Sequence, residues 1–315
     1  MKNIRAVISI ITVIVLISGV ALFSGCSLFS EKEQQNADEA SAQTTVSVTD
    51  DVIEPEDVTW NGDMFEAINN DGLLNILLIG QDRRPDEGRQ RSDCMILCSL
   101  NPETNELSMI SFLRDLYVQI PGYSDNRLNA AYVFGGFDLI KETFNLNFGV
   151  NIDGCLEVDF DSFEQIVDIV GGVDIELTSA EAEIVGSGAT EGLCHLNGEQ
   201  ALTYTRIRKI DSDFQRTERQ RTLLNAVFSK MKGCGLTELM TLVSEILPLM
   251  TTDMTDDDLM SLAFNLASSL SELKIENYGV PSSGNYQNAT INGMAVLVPD
   301  LYEIKKLIFE EYLPV

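Results

Sequence analysis

Apolar residues come in short, separated runs from residue 73 onward, and their spacing predicts most of the secondary structure. Residues 73–80 (LLNILLIG) are apolar except for Asn75, the pattern of a strand buried on both faces. A polar loop at 81–91 follows, then a second strand at 92–100 and a third at 106–112. Between the last two, Asn101 to Asn105 (NPETN) is turn chemistry. Neither connection suits a crossover helix, so the three strands are expected to run antiparallel as a meander. The end of the first strand, the start of the second and the end of the third then share one edge of the sheet. Asp82, Asp93 and the Arg114-Asp115 pair are thereby brought together.

Helical and strand patterns alternate further on. Residues 137–147 read as a helix, and 161–170 as another, stopped by Gly171-Gly172 before a strand at 173–177. Residues 199–202 form a short helical turn leading into 203–208. If that stretch is extended, its two-residue period puts Tyr204, Arg206 and Arg208 on one face. Ser212 followed by Gln215 resembles a capping box, opening a helix that runs to about Met231. Its stripe of Leu223, Leu224, Val227, Phe228 and Met231 faces a core. Arg216, Arg219 and Gln220 lie three and four apart on its first turns, near a helix terminus that favours anions. Thr237 is a candidate cap for a helical region at 238–273. Residues 277–298 read as loop and strand, and 300–312 as a closing helix. The class is α/β, with a mixed sheet sandwiched by helices.

The N-terminus has a different pattern. Lys2 and Arg5 precede an uncharged apolar stretch at 6–23. Its length suits a membrane-spanning signal anchor. The sequence Leu22 to Cys26 (LFSGC) instead resembles a bacterial lipoprotein cleavage box, with lipidation at Cys26, and we favour that reading. Either way the basic residues mark the cytoplasmic side and the rest is exported to the outer face of the membrane. Residues 30–59 are polar and acidic, the composition of a flexible tether. The expected organisation is an anchor at 1–29, that tether, a core at 60–235, and a helical and stranded segment at 236–315 packed on the core.

Composition sharpens the picture at one point. The net charge of -28 argues against nucleic acid as a partner. Yet nine of the twelve arginines fall in two windows: Arg83, Arg84, Arg89 and Arg91, then Arg206, Arg208, Arg216, Arg219 and Arg221. Acidic residues already provide solubility, so the clusters serve another purpose. Arginine's planar fork suits bidentate contact with phosphate. Structural ion pairs with nearby acids are the competing explanation, and for Arg219 and Arg221 it stands level with the first.

Of the six cysteines, none has metal-ligand spacing. Cys94 and Cys98 share one strand face about 13 Å apart, too far to bridge, so both are expected to be buried thiols. There is no P-loop and no Gly-x-Ser-x-Gly elbow. The one histidine, His195, sits in an expected turn and reads as structural. What remains is a pair of carboxylates ringed by arginines at a sheet edge. That set suits Mg²⁺ or Mn²⁺ bridging phosphate oxygens, with guanidinium groups neutralising charge on a transferred phosphoryl group.

These residues fall in blocks that resemble the LytR–CpsA–Psr family of bacterial cell-wall enzymes. The blocks are collinear: NILLIGQDRR at 75–84, RSDCM at 91–95, SFLRD at 111–115, RLNAAY at 127–132, GGVD at 171–174, LNGEQAL at 196–202, YTRIR at 204–208 and DFQRTERQ at 213–220. The resemblance implies a cleft for a polyprenyl lipid. It implies an enzyme that moves a glycopolymer from a polyprenyl diphosphate carrier to peptidoglycan, forming a phosphodiester. On the matching positions it makes Asp82 and Asp93 the Mg²⁺ ligands. Arg84, Arg91 and Arg114 surround the head group, and Arg206, Arg208, Asp213, Arg216 and Gln220 form a second block. Asp93 or Asp115 is expected to help activate the acceptor hydroxyl. Three departures stand out: Cys94 for a threonine, Leu113 for a proline, and Gln215 for a glycine. A non-catalytic binder of polyprenyl phosphates and a diphosphate hydrolase are the alternative functions.

Overall fold

In the computed structural model, residues 51–65, 72–81, 83, 88–208, 210, 212–259 and 272–314 are described below. The anchor stretch at 6–23, Cys26, Asp82 and Arg84 lie outside them. Among the described residues no helix is long and apolar enough to cross a membrane.

The strands are β1 (Asp51–Val52), β2 (Leu74–Gln81), β3 (Ser92–Asn101), β4 (Glu106–Phe112), β5 (Tyr117–Val118), β6 (Asn126–Arg127), β7 (Gly154–Val158), β8 (Val173–Leu177), β9 (Gly192–Leu196), β10 (Thr251–Thr252), β11 (Lys274–Val280), β12 (Tyr286–Ile291) and β13 (Met294–Pro299). The helices are α1 (Leu128–Phe148), α2 (Phe160–Ile169), α3 (Ser179–Val185), α4 (Gly198–Thr205), α5 (Asp213–Met231), α6 (Leu236–Ile246) and α7 (Leu301–Leu307).

The central sheet has six strands in the order β10-β7-β2-β3-β4-β11. β2, β3 and β4 form the expected antiparallel meander. β7 joins β2 and β11 joins β4, both in parallel, so the sheet is mixed. The β3–β4 turn is built as its residues suggest: Asn101 Oδ1 accepts the amides of Glu103 (2.9 Å) and Thr104 (3.2 Å), and Asn105 takes a positive φ of 57°.

Side chains of β2 and β3 alternate between two cores, which is why both strands read as almost unbroken apolar runs. One face packs Ile76, Leu78, Cys94, Ile96 and Cys98 against α2, α4, α5 and α6, and it takes the whole predicted stripe of α5. The other packs Leu77, Ile79, Met95 and Leu97 against α1 and α7. Each fully buried aliphatic side chain contributes roughly 1.5–3 kcal/mol. Cys94, Cys98 and Cys155 are buried free thiols, as expected for the first two.

Several elements differ from the sequence reading. The helix at 137–147 begins earlier, at Leu128, and turns a corner at Gly136 (φ 70°, ψ -147°). Residues 203–205 belong to α4 rather than to an extended segment. Asn197 and Gln200 form a capping box that starts the helix, and Ala201, Leu202 and Tyr204 hold it in the core. Met250 leads into β10, where Thr251-Thr252 pairs antiparallel with β7 and breaks the expected helical region. His195 lies on β9, not in a turn, and its Nδ1 sits 2.7 Å from Asp174. Asp51 and Val52, inside the stretch expected as tether, pair in parallel with β12. β11, from the 236–315 stretch, is an edge strand of the same sheet as β2–β4, so that stretch shares the core.

Candidate active site

The strand ends converge as the meander requires. Asp93, second residue of β3, is only 8% exposed. Arg114, two residues beyond β4, donates from Nη1 to Asp93 Oδ1 at 3.0 Å. The same guanidinium reaches Asp115 (Nε to Oδ2, 3.4 Å) and Asp213 (Nη2 to Oδ2, 3.8 Å). Asp213 opens α5 and accepts from Arg216 Nη1 at 2.8 Å. Arg216 is buried to 1% exposure, far below what a long cation tolerates without partners. Ser212 and Gln215 fix this helix start, with the Ser212 amide donating to Gln215 Oε1 at 3.1 Å.

Electrostatics show what the cluster lacks. Burial pushes the Asp93 carboxyl above the usual aspartate range, even though Arg114 pulls it down. Burial works against Arg114, yet Asp93 and Asp115 hold its pKa above the ordinary value. Arg208 and Arg216 go the other way. Burial lowers both, and each is lowered further by the Arg114 guanidinium despite Asp213. Burial is the largest cause of all three shifts, so it leaves the Asp93 carboxylate short of positive charge and the Arg208 and Arg216 guanidinium groups short of negative charge.

Other residues implied by the resemblance occupy varied positions. Gln220 is buried, and its Oε1 accepts from the Cys94 thiol at 3.1 Å, so the cysteine supplies a donor where a threonine hydroxyl was expected. Arg208 is exposed but feels both Asp93 and Asp213. Arg206 lies over the Phe160 ring, 4.6 Å from its centroid. Arg91 is exposed at the entry to β3. Among the described residues no group of three or more acidic, histidine or cysteine side chains is placed to hold a metal ion.

Two of the clustered arginines have different work. Arg83 reaches Asp159 (3.0 Å) and Glu157 (3.5 Å). Arg89 stacks over Tyr132 at 5.4 Å, in space left by the absent side chain of Gly136. Glu157 is buried, accepting from Gln81 Nε2 and, at 2.6 Å, from the Tyr132 hydroxyl. Sequence reasoning did not single out this network, although a lone glutamate in the buried run 154–158 was its signal. It also left out Arg127, whose Nε lies 3.3 Å from Asp115. Arg219, by contrast, is structural: its Nε donates to Glu181 at 2.7 Å.

The chain is similar to known proteins in sequence and in fold. A teichoic acid transferase, TagU, of Bacillus anthracis (strain CDC 684 / NRRL 3495) is 34% identical over 234 residues, 71% of this chain and 74% of that protein. A protein of the same description from Oceanobacillus iheyensis is 35% identical over 250 residues, 74% of this chain and 73% of its own length. The structure described as TagT bound to LI-WTA superposes with a TM-score of 0.63 at 26% identity, covering 79% of this chain and 94% of that one. Bacillus subtilis TagV superposes at 0.61 with 27% identity, covering 78% of this chain and all of that one. The LytR_cpsA_psr family model matches residues 28–309, and the chain belongs to that family.

Proposed function

We propose that this protein transfers a glycopolymer from a polyprenyl diphosphate carrier to peptidoglycan, forming a phosphodiester bond in cell-wall assembly. The observation that carries the reading is the convergence of Arg114, Arg208 and Arg216 on Asp93 and Asp213, with two of the three guanidinium pKa values held low. A diphosphate is the anion that fits such a cluster. The relatives support the polymer: they are described as polyisoprenyl-teichoic acid–peptidoglycan teichoic acid transferases.

In the reaction, an acceptor sugar hydroxyl attacks the phosphorus that carries the glycopolymer. A new P–O bond forms, the bridging P–O bond of the diphosphate breaks, and polyprenyl phosphate leaves with the bond's electrons. Asp115 borders the open recess beside Asp213, and in this reading it takes the hydroxyl proton. Arg114, Arg208 and Arg216 neutralise charge that grows on the equatorial and leaving oxygens. Asp93 also fits a divalent cation, because it is a hard oxygen donor whose buried charge Arg114 alone does not compensate. With Asp82 it would hold Mg²⁺ or Mn²⁺, which supplies further charge neutralisation on the diphosphate. The reading places the protein on the outer face of the membrane, anchored through its N-terminus by Cys26 lipidation or by a span at 6–23.

The test is a reconstitution with a polyprenyl-diphosphate-linked teichoic acid oligomer and uncrosslinked glycan strands. Polymer joined to glycan through a phosphodiester, with stoichiometric polyprenyl monophosphate, is the expected result. Free phosphorylated polymer as the sole product, with acceptor present, would make the protein a hydrolase.

A further inference from the structure

Glu157 is a charged side chain that the transfer chemistry does not use, yet it is only 3% exposed. It stands on β7 in register with Ile79 of β2 and meets Tyr132 from α1. A buried carboxylate is tolerated only where donors surround it. The Tyr132 hydroxyl donates to its Oε2 at 2.6 Å, Gln81 Nε2 donates to its Oε1, and Arg83 Nη2 lies 3.5 Å from Oε1. The Gln81 amide is oriented from both ends. Its Oε1 accepts the backbone amide of Gln90 at 2.8 Å, and a backbone N–H can only donate, so Nε2 is the end turned to Glu157. Tyr132, Glu157, Gln81 and Gln90 thus form one directed chain of hydrogen bonds, with Gln81 fully buried inside it.

Beside this chain the β2–β3 ladder is interrupted. Gly80 pairs with Cys94 but Gln81 pairs with Ser92, so Asp93 is an extra residue on β3 with no opposite residue on β2. That arrangement is a β-bulge. Met95 and Leu97 point into the core against α1, and unbroken alternation would put Asp93 on the same face. A bulge breaks the alternation and re-aims the side chain it carries. The Asp93 carboxylate meets Arg114 Nη1 at the sheet edge, 3.0 Å away. Gln81 holds the approach to the bulge twice, through its backbone pairing with Ser92 and its side chain on Gln90.

Resting on the transfer reading above, we propose that Glu157 is a positioning residue: through Gln81 it braces the bulge that aims Asp93 at the diphosphate. The bulge needs an acceptor at position 157 rather than a charge. In Glu157→Gln the new carbonyl still accepts from Gln81, and the new amide donates to the Tyr132 oxygen. Glu157→Leu keeps the bulk, offers no acceptor, and leaves the Gln81 amide free to turn.

The experiment compares the parent, Glu157→Gln, Glu157→Leu and Gln81→Met by transfer kinetics per folded molecule and by hydrogen exchange at the Gln90 amide. Glu157→Leu and Gln81→Met are expected to lower kcat by about 10²-fold, the effect of misplacing a reacting group by roughly 1 Å. The donor KM stays within about threefold, because Arg114, Arg208 and Arg216 are carried by other elements. Glu157→Gln brings kcat back to within about fivefold of the parent. The Gln90 amide exchanges at least about tenfold faster in Glu157→Leu than in the parent or in Glu157→Gln. Gln81→Met leaves the Glu157–Tyr132 pair in place, so it reports even if Glu157→Leu folds poorly. Parental kcat in Gln81→Met, a Glu157→Gln variant as slow as Glu157→Leu, or a loss confined to stability overturns the proposal. A parent that binds donor and joins nothing overturns the transfer reading instead, and the exchange rates at Gln90 then decide whether Glu157 braces the bulge.

Discussion

Arg219 and Arg208 show how differently two arginines of one cluster are used. Arg219 is buried against Glu181, so Arg219→Ala strands a buried carboxylate and is expected to cost about 3–5 kcal/mol of stability by urea unfolding. Transfer per folded molecule stays near the parental rate. Arg208 is only partly covered, and that partial desolvation and the neighbouring Arg114 disfavour its charge. Arg208→Ala therefore leaves the melting temperature unchanged or higher, while transfer falls by roughly two orders of magnitude, in line with losing one charge-stabilising donor. Asp93 makes a pH prediction. Its folded pKa lies above the unfolded value, so the native state holds the extra proton in that window and stability falls as pH rises through it. Asp93→Asn is expected to unfold at no lower urea concentration than the parent at pH 7. Below both pKa values the two proteins lose that difference. Asp93, Asp213 and Arg216 were legible in the sequence because each is a charge inside one of the blocks that carry the family resemblance. Arg127 was not, since its value comes from Asp115, twelve residues away and reached only through the β5–β6 hairpin.

At the level of elements, the meander was readable because its connections are short and its turn residues specific. What misled was the stretch from Tyr204 to Arg208, whose alternation mimics a strand although a capping box seven residues earlier commits the chain to a helix. β11 was unreadable as a sheet member, because its pattern of buried and exposed positions is irregular and its partner lies more than 160 residues away. Gly198 ties element packing to the site. A methyl group there would sit 2.2 Å from the Glu164 carbonyl oxygen on α2, a backbone atom that cannot swing aside. Gly198→Ala is expected to push α4 from α2, lowering stability by about 1–3 kcal/mol. It also displaces Arg206 and Arg208, which follow α4 directly. Weaker donor binding together with a lower unfolding midpoint checks this. Lower stability with unchanged donor affinity would mean that the arginines are held independently of the helix.

On the scale of the whole molecule, a chain with a net charge of -28 gathers Arg114, Arg208 and Arg216 against Asp93, Asp115 and Asp213 at a sheet edge. Inorganic pyrophosphate, the head group without lipid or sugar, is expected to raise the melting temperature of the parent in proportion to the logarithm of its concentration. The same titration should leave Arg208→Ala nearly unmoved. The fold as a whole and its polar rim were within reach of the sequence, since collinear blocks and strand patterns encode them. The buried network of Glu157, Gln81 and Tyr132 was not, because its partners come from three elements that meet only once the chain has packed. The central claim is that the acid and guanidinium cluster carries out phosphoryl transfer rather than merely holding lipid. The most direct measurement is transfer by Asp93→Asn with labelled lipid-linked polymer, alongside donor binding by the same protein. The account predicts that the donor still binds and that no joined product or polyprenyl monophosphate forms. Joining at the parental rate would contradict it.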